Sequence, residues 1–302
     1  MKKLGIAAGL LVVLLGASWL LFPRAIKRFL RGAKEVSTGR FQDPEGLAVD
    51  SQGRIYVCDE DRGTLTVLAP DGATLRTLKR EFLHGDSLVV RGIESIVTIG
   101  EHELWTLDLS TDTPPPFGRI EVRGPDGPIV DPEGIAEDPA TGDLYVTLED
   151  ARKVRVFDRK GTILRDFTVP HDPEGIGFHP DGRLIVTFSK DDYCQVFSKE
   201  GAPGPKFGRT GSGPGEFRNP DFVRAGPDGR IYITDQKNHR IQVFDRDLKP
   251  VQVIGKAGKG TGEFSDPEDL AFDPQGRLLV ADGGNHRIQV LKTTGEFVAE
   301  IR

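Results

Sequence analysis

One carboxylate position recurs through this sequence. The octapeptide DPEGLAVD from Asp43 returns as DPEGIAED from Asp131, DPEGIGFH from Asp172 and DPEDLAFD from Asp266. Looser copies are NPDFVRAG from Asn219 and HGDSLVVR from His84. Aligned, the third place reads Glu45, Asp86, Glu133, Glu174, Asp221 and Glu268, an acid in every copy. Asp43, Asp131, Asp172 and Asp266 add further carboxylates two residues earlier. Turn chemistry accounts for the other letters: Asp caps, Pro fixes φ and Gly admits a close backbone. It gives no reason for an acid at the third place each time. Like charges gathered in one place are costly unless protonated, hydrated or neutralised by a cation. Hard oxygen donors from several directions suit calcium or another hard divalent cation better than zinc. The expected metal ligands are therefore Glu45, Asp86, Glu133, Glu174, Asp221 and Glu268.

The elements that must position these acids are short strands. In the fifth copy FVRAG is followed by a PDGR turn, the alternating run RIYITD, the link QKNHR, then IQVFD and VQVIG. Alternating runs parted by Pro, Asp and Gly turns predict four antiparallel strands per unit. The acidic position recurs every 41 to 47 residues or so, the length of one propeller blade. The expected fold is all-β, a six-bladed β-propeller of four-stranded antiparallel blades preceded by an N-terminal transmembrane helix. Innermost strands are expected near Gly46, Ser87, Gly134, Gly175, Phe222 and Asp269. The second unit is the most degenerate, with RGIES in place of its turn. FVAEI is expected to complete the last blade without a strand borrowed from the N-terminus. Each third-place acid would then face one mouth of the central channel.

The segments GSGPGEFRNPDFV, GRIYITDQKNHRIQVFD and GKGTGEFSDPEDLAFDPQGRLLVADGGNHRIQVL resemble NHL repeats. The signature stands here as Asn238-His239-Arg240 and Asn285-His286-Arg287. The resemblance covers roughly residues 39 to 302 and implies a propeller; such propellers serve many purposes, so it implies little about activity. Related six-bladed enzymes sharpen the comparison. Peptidyl amidating lyase is similar in fold but carries His at some channel-mouth positions where this chain has Glu or Asp. Gluconolactonase and strictosidine synthase relatives use the same mouth, the former with a calcium-like cation held by Glu, Asn and Asp.

Other constellations carry less. The two NHR histidines recur beside Asp235 and Asp282, which points to an Asp and an Arg fixing the turn between strands two and three. His102, His171 and His179 have no repeat partners and are expected at the surface rather than as ligands. GKAGKGTGEF lacks P-loop spacing and a following long helix, so no nucleotide or other cofactor site is expected. No Gly-x-Ser-x-Gly elbow occurs. Cys58 and Cys194 fall in different units at non-equivalent positions and are expected not to pair.

Of 302 residues, the first 34 hold seven Lys/Arg and no acid, leaving 33 basic against 46 acidic side chains in the remainder. So acidic a body repels phosphate backbones and excludes nucleic acid as a partner. Leu4 to Phe22 is an uncharged run just long enough to span a bilayer. A cleaved signal ending at Gly16-Ala17-Ser18 is the alternative. After Pro23, RAIKRFLRGAK reads as a basic interfacial helix on anionic headgroups. The expected organisation is an anchor over residues 1–35 and a propeller over 36–302. The short basic N-tail favours placing the propeller on the exported, periplasmic or extracellular side.

The expected function is a membrane-tethered binding or scaffold module whose acidic mouth holds a cation, a small cationic ligand or a protein. The alternative is a metal-dependent hydrolase of lactonase or esterase type acting at the same mouth. Beyond the acids the sequence offers no obvious nucleophile or base. Full-length protein is expected to stay with membranes through carbonate extraction, and a chain starting at Val36 to be soluble. A mature N-terminus near Trp19 would establish the cleaved signal instead.

Overall fold

Runs such as IYVCD and IYITD put a branched or aromatic side chain on both faces of a strand, so such a strand must be covered on both sides. The computed structural model describes residues 39–79, 87–91, 95–100, 103–108, 117–120 and 131–302, and these runs are indeed covered. They are the second strands of four-stranded antiparallel sheets in which each strand pairs with the next in sequence. The first blade comprises β1 to β4, Pro44–Val49, Ile55–Asp59, Thr64–Leu68 and Thr74–Lys79. Next in sequence come β5 to β8, Leu88–Arg91, Ser95–Gly100, Glu103–Asp108 and Phe117–Ile120. Strands β9 to β12 are Pro132–Glu137, Leu144–Leu148, Lys153–Phe157 and Ile163–Thr168. Strands β13 to β16 are Ile176–Phe178, Leu184–Phe188, Tyr193–Phe197 and Pro203–Phe207. Strands β17 to β20 are Pro220–Ala225, Ile231–Asp235, Arg240–Phe244 and Pro250–Ile254. The last blade is β21 to β24, Pro267–Phe272, Leu278–Asp282, Arg287–Leu291 and Phe297–Ile301.

Within a blade, burial grades outward. The second strands β2, β10, β14, β18 and β22 are buried at every residue, whereas the outer strands β4, β20 and β24 are largely exposed. First strands neighbour one another in sequence order, and β21 packs against β1, which closes the ring around a channel. Apolar clusters fill the spaces between blades. Phe41, Leu47 and Val57 of the first blade pack with Ala271, Leu279 and Ile288 of the last.

The expected fold class, six like blades behind a transmembrane helix, is corrected in two respects. Five blades are described from first strand to last: β1–β4, β9–β12, β13–β16, β17–β20 and β21–β24. The β5–β8 sheet is described only in separate pieces, and its first strand starts at Leu88, past the acidic entry. Its entry HGDS has lost both the Pro that fixes φ and the Gly of its counterparts, the physical reason it departs from them. Among the described residues no helix is long and apolar enough to cross a membrane. The run Leu4–Phe22, the basic segment after it, Asp86 and His102 lie outside the described residues. Phe297–Ile301 does complete the last blade.

The NHR residues brace two glycine-rich loops. Arg240 donates to Asp235 Oδ2 at 2.7 Å and to the carbonyls of Ser212, Gly213 and Glu216, while Asn238 donates to Asp235 and to Gly211 O. Arg287, Asn285 and Asp282 repeat this pattern on Gly258, Gly260 and Glu263, with Arg287 only 1% exposed. A buried Asp–Arg pair of this kind holds because carbonyl acceptors satisfy the remaining guanidinium protons. His239 and His286 take left-handed φ of 53° and 58° in the same turns. Their Nδ1 atoms meet the next blade, at Asp266 N (3.3 Å) and Gln42 O respectively. Cys58 and Cys194 are free and buried. His171 is half-exposed, but His179, expected at the surface, is 3% exposed and contacts Arg246 O at 3.0 Å.

The glycines of the entry motif sit where adjacent first strands nearly touch. A Cβ on Gly134 would stand 2.8 Å from Glu174 O, and one on Gly175 would overlap Asp221 O. Thr147 and Thr187, on β10 and β14, reach the same two carbonyls with their hydroxyls and tie each blade to the next. Gly175→Ala is expected to cost about 1–3 kcal/mol, an overpacking penalty, measured by chemical denaturation. An unchanged midpoint would show that the strands can part at this joint.

Candidate functional site

Each entry motif first makes a turn. Asp131, Asn219 and Asp266 precede Pro with left-handed φ of 55°, 59° and 50°. Asp and Asn tolerate that region better than other side-chain-bearing residues, which explains the first letter of the motif. Pro then pairs with the end of the second strand, as in Pro44↔Asp59, Pro220↔Asp235 and Pro267↔Asp282. Directly after it the ladder is interrupted: between Pro44 and Leu47, Pro220 and Val223, and Pro267 and Leu270 the register shifts. The third-place acid lies inside this bulge, a device that re-aims side chains. Glu45, Glu133, Asp221 and Glu268 each stand directly after the Pro that opens their first strand, whereas Glu174 stands two residues before Ile176, where β13 begins.

Five of the six predicted acids are described, and they gather in small groups. Glu45 joins Asp43 and Glu60, with one carboxylate oxygen of each within 4.8 Å of the others. Glu133 joins Asp131 and Glu149 in the same way. Glu45 and Glu133 are buried, as is Asp221. Glu174 is half-buried and accepts a hydrogen bond from Ser189 Oγ at 2.7 Å. Glu268 accepts one from Gln236 Nε2 at 2.6 Å and is hydrogen-bonded with Asp221.

Glu60 and Glu149 escaped the sequence reading because they belong to no entry motif. Each follows a second strand and donates its backbone N–H to the motif's first residue, at 3.0 Å from Glu60 to Asp43 O and 2.9 Å from Glu149 to Asp131 O. The signal was present in the alignment: this place reads Glu60, Glu149, Ser189, Gln236 and Gly283 across the five described blades.

Tethered cations answer part of this charge. Lys190 Nζ binds Glu149 and lies 3.2 Å from Asp172, which also receives Arg152 Nε at 2.8 Å. Lys237 Nζ lies 3.1 Å from Asp266. In the last blade Gly283-Gly284 stands where Gln236-Lys237 stands in its neighbour. A Cβ on Gly283 would lie 3.0 Å from Asp43 Oδ1 and 3.1 Å from Glu268 Cγ, so acids of the last and first blades flank a glycine pair.

A polar bridge links three first strands, β13, β17 and β21. Arg224 on β17 donates to Asp269 Oδ2 at 3.0 Å and to the carbonyls of Val223 and, at 3.4 Å, Ile176. Burial pushes the Asp269 carboxyl up to about 6 despite Arg224. Burial, then the charge of Asp43 and that of Asp266, push Glu268 up to about 7, against its hydrogen bonds to Asp221 and Gln236.

The family model for the NHL repeat matches residues 41–68, 217–244 and 264–291. No curated protein matches the chain by sequence. Among solved structures, a streptogramin B lyase superposes with a TM-score of 0.63 at 15% identity, covering 88% of this chain and 85% of that one. An auxiliary nutrient binding protein from Bacteroides thetaiotaomicron gives 0.64 at 15% identity, with 82% and 68% covered. A nidogen/laminin complex gives 0.57 at 17%, with 70% and 80% covered. These likenesses concern the fold. The chain is a β-propeller built of four-stranded antiparallel blades. It carries NHL repeats in its first blade and in its last two.

The raised carboxyl of Glu268 fixes the sign of a pH effect. Between its ordinary 4.5 and about 7 the folded chain holds a proton that the unfolded chain has released. Stability from this group is therefore present at low pH and lost as pH rises through about 7. Glu268→Gln is expected to gain on the wild type between pH 5 and pH 8, by on the order of 1 kcal/mol, read as the difference in thermal midpoints. A constant difference across that range would show that Glu268 is not crowded.

Proposed function

We propose that this protein is a binding module whose acidic channel mouth takes a hard divalent cation, calcium first among them, or a cationic group of a protein or small ligand. One observation carries the reading: two equivalent carboxylate trios, Asp43/Glu45/Glu60 and Asp131/Glu133/Glu149, whose oxygens approach within 4.8 Å. Their donors are hard oxygens with no thiolate or imidazole among them, which fits calcium. Glu45, Glu133 and their partners would supply its ligands; Glu174, Asp221 and Glu268 would add negative field around it. The glycine pair at Gly283-Gly284 favours the joint between last and first blades as the place of entry. The Arg224–Asp269 bridge ties first strands β17 and β21 together and supports recognition at a surface rather than passage through a pore. A membrane tether supplied by the Leu4–Phe22 run belongs to the same reading and rests on the sequence alone.

A metal-dependent hydrolase would draw on the same trios, and turnover separates the two readings. Full-length protein is expected to gain thermal stability with calcium, by about 2.7 kcal/mol when free ion reaches a hundred times Kd. Glu45→Gln combined with Glu60→Gln should remove most of that gain. Hydrolysis of simple lactones or esters that depends on the added metal would favour the enzyme. No shift with calcium, magnesium or manganese would leave a cationic partner as the occupant.

A further inference from the structure

Blades consecutive in sequence are joined by the chain itself, whereas the last and first blades meet without such a link among the described residues. No described strand crosses that joint either, since the last blade is made of β21 to β24 in order. What holds this seam is the apolar cluster of Phe41, Leu47, Ala271 and Leu279, the His286–Gln42 contact and one buried carboxylate. That carboxylate is Asp269, 0% exposed, standing where three other entry motifs carry Gly46, Gly134 and Gly175. Its Oδ2 accepts the backbone N–H of Leu47 at 3.2 Å, across 222 residues of sequence, and the Arg224 guanidinium at 3.0 Å. Its Oδ1 accepts Leu270 N at 2.7 Å.

The same device occurs once more in weaker form. Ser87 holds the equivalent place in the β5–β8 sheet, and its Oγ accepts Ile135 N, the residue equivalent to Leu47, at 3.4 Å. Where Gly134 and Gly175 stand, the strands meet directly and a threonine hydroxyl joins them. At Asp269 and Ser87 a polar side chain at the glycine place therefore bonds across the gap between two first strands, whereas Phe222, at that place in the β17–β20 blade, has no group to do so. At the seam the bond is charge-assisted and anchored to a third strand, β17, through Arg224.

We propose that Asp269 is the latch of the ring: it holds the seam between the last and first blades shut, and the seam opens first when that hold is lost. Removing the carboxylate takes the buried partner from the Leu47 amide and the charge partner from Arg224, and an unpaired buried amide is costly.

Hydrogen exchange of the full-length protein tests this. In Asp269→Ala, amides of residues 39–50 and 264–273 are expected to exchange at least about tenfold faster, while those of 176–244 keep wild-type protection. Asp269→Ser, which copies the Ser87 joint, should fall between. Should Asp269→Ala not fold, Asp269→Asn, which keeps an acceptor but loses the charge, gives the same ordering. Wild-type protein in graded sub-denaturing urea should also lose protection at the seam before 176–244. Protection lost evenly over all blades, or first in 176–244, would overturn the proposal.

Discussion

The structure depends on how closely first strands can approach one another around the channel. Each must hydrogen-bond sideways to its own blade and still meet its neighbours edge-on. Where two approach most closely only glycine fits, and Gly134 and Gly175 mark those places. The bulge that follows each Pro lets the strand enter this crowded ring and turns the next side chain out of the ladder. Beside that bulge two of the re-aimed acids, Glu45 and Glu133, each meet two further carboxylates. Burial, with the charge of Asp43 and Asp266, raises the Glu268 carboxyl, and nothing in the turn itself requires an acid there.

Much of this was legible in sequence. Strand order, blade length and the recurring acid all follow from a repeat whose turns are written in Pro, Asp and Gly. The structural part of the NHR residues was legible too, because an Asp at the end of one strand and an Arg at the start of the next must face each other across a tight turn. What escaped reading were partners supplied from outside the motif. Glu60 and Glu149 complete the trios, yet they lie just past the ends of second strands, and only the pairing of those strands brings them beside Asp43 and Asp131. His179 looked like a surface histidine because it has no partner in the other repeats; burial came from the neighbouring blade, whose Arg246 carbonyl it meets. The β5–β8 unit had already lost the letters that made the others readable.

Rigidity is unevenly distributed as a result. Two blades carry an Asp–Arg–Asn brace that fixes a long glycine-rich loop over the joint before them. The β13–β16 blade has Phe188 and Tyr193 in those places, stacked with ring centroids 4.7 Å apart. Apolar stacking serves there where a polar brace serves elsewhere, and the loop ahead of it is short.

Lys190 has a consequence for selectivity. At Glu149 its ammonium is a competitor that never diffuses away, because the backbone holds it at an effective concentration no free ion attains. Any visitor to the Asp131/Glu133/Glu149 trio must evict part of the protein before it can stay. At Asp43/Glu45/Glu60 the neighbouring blade contributes a glycine pair in place of such a lysine. Of two trios drawn from one template, one thus already carries a resident guest.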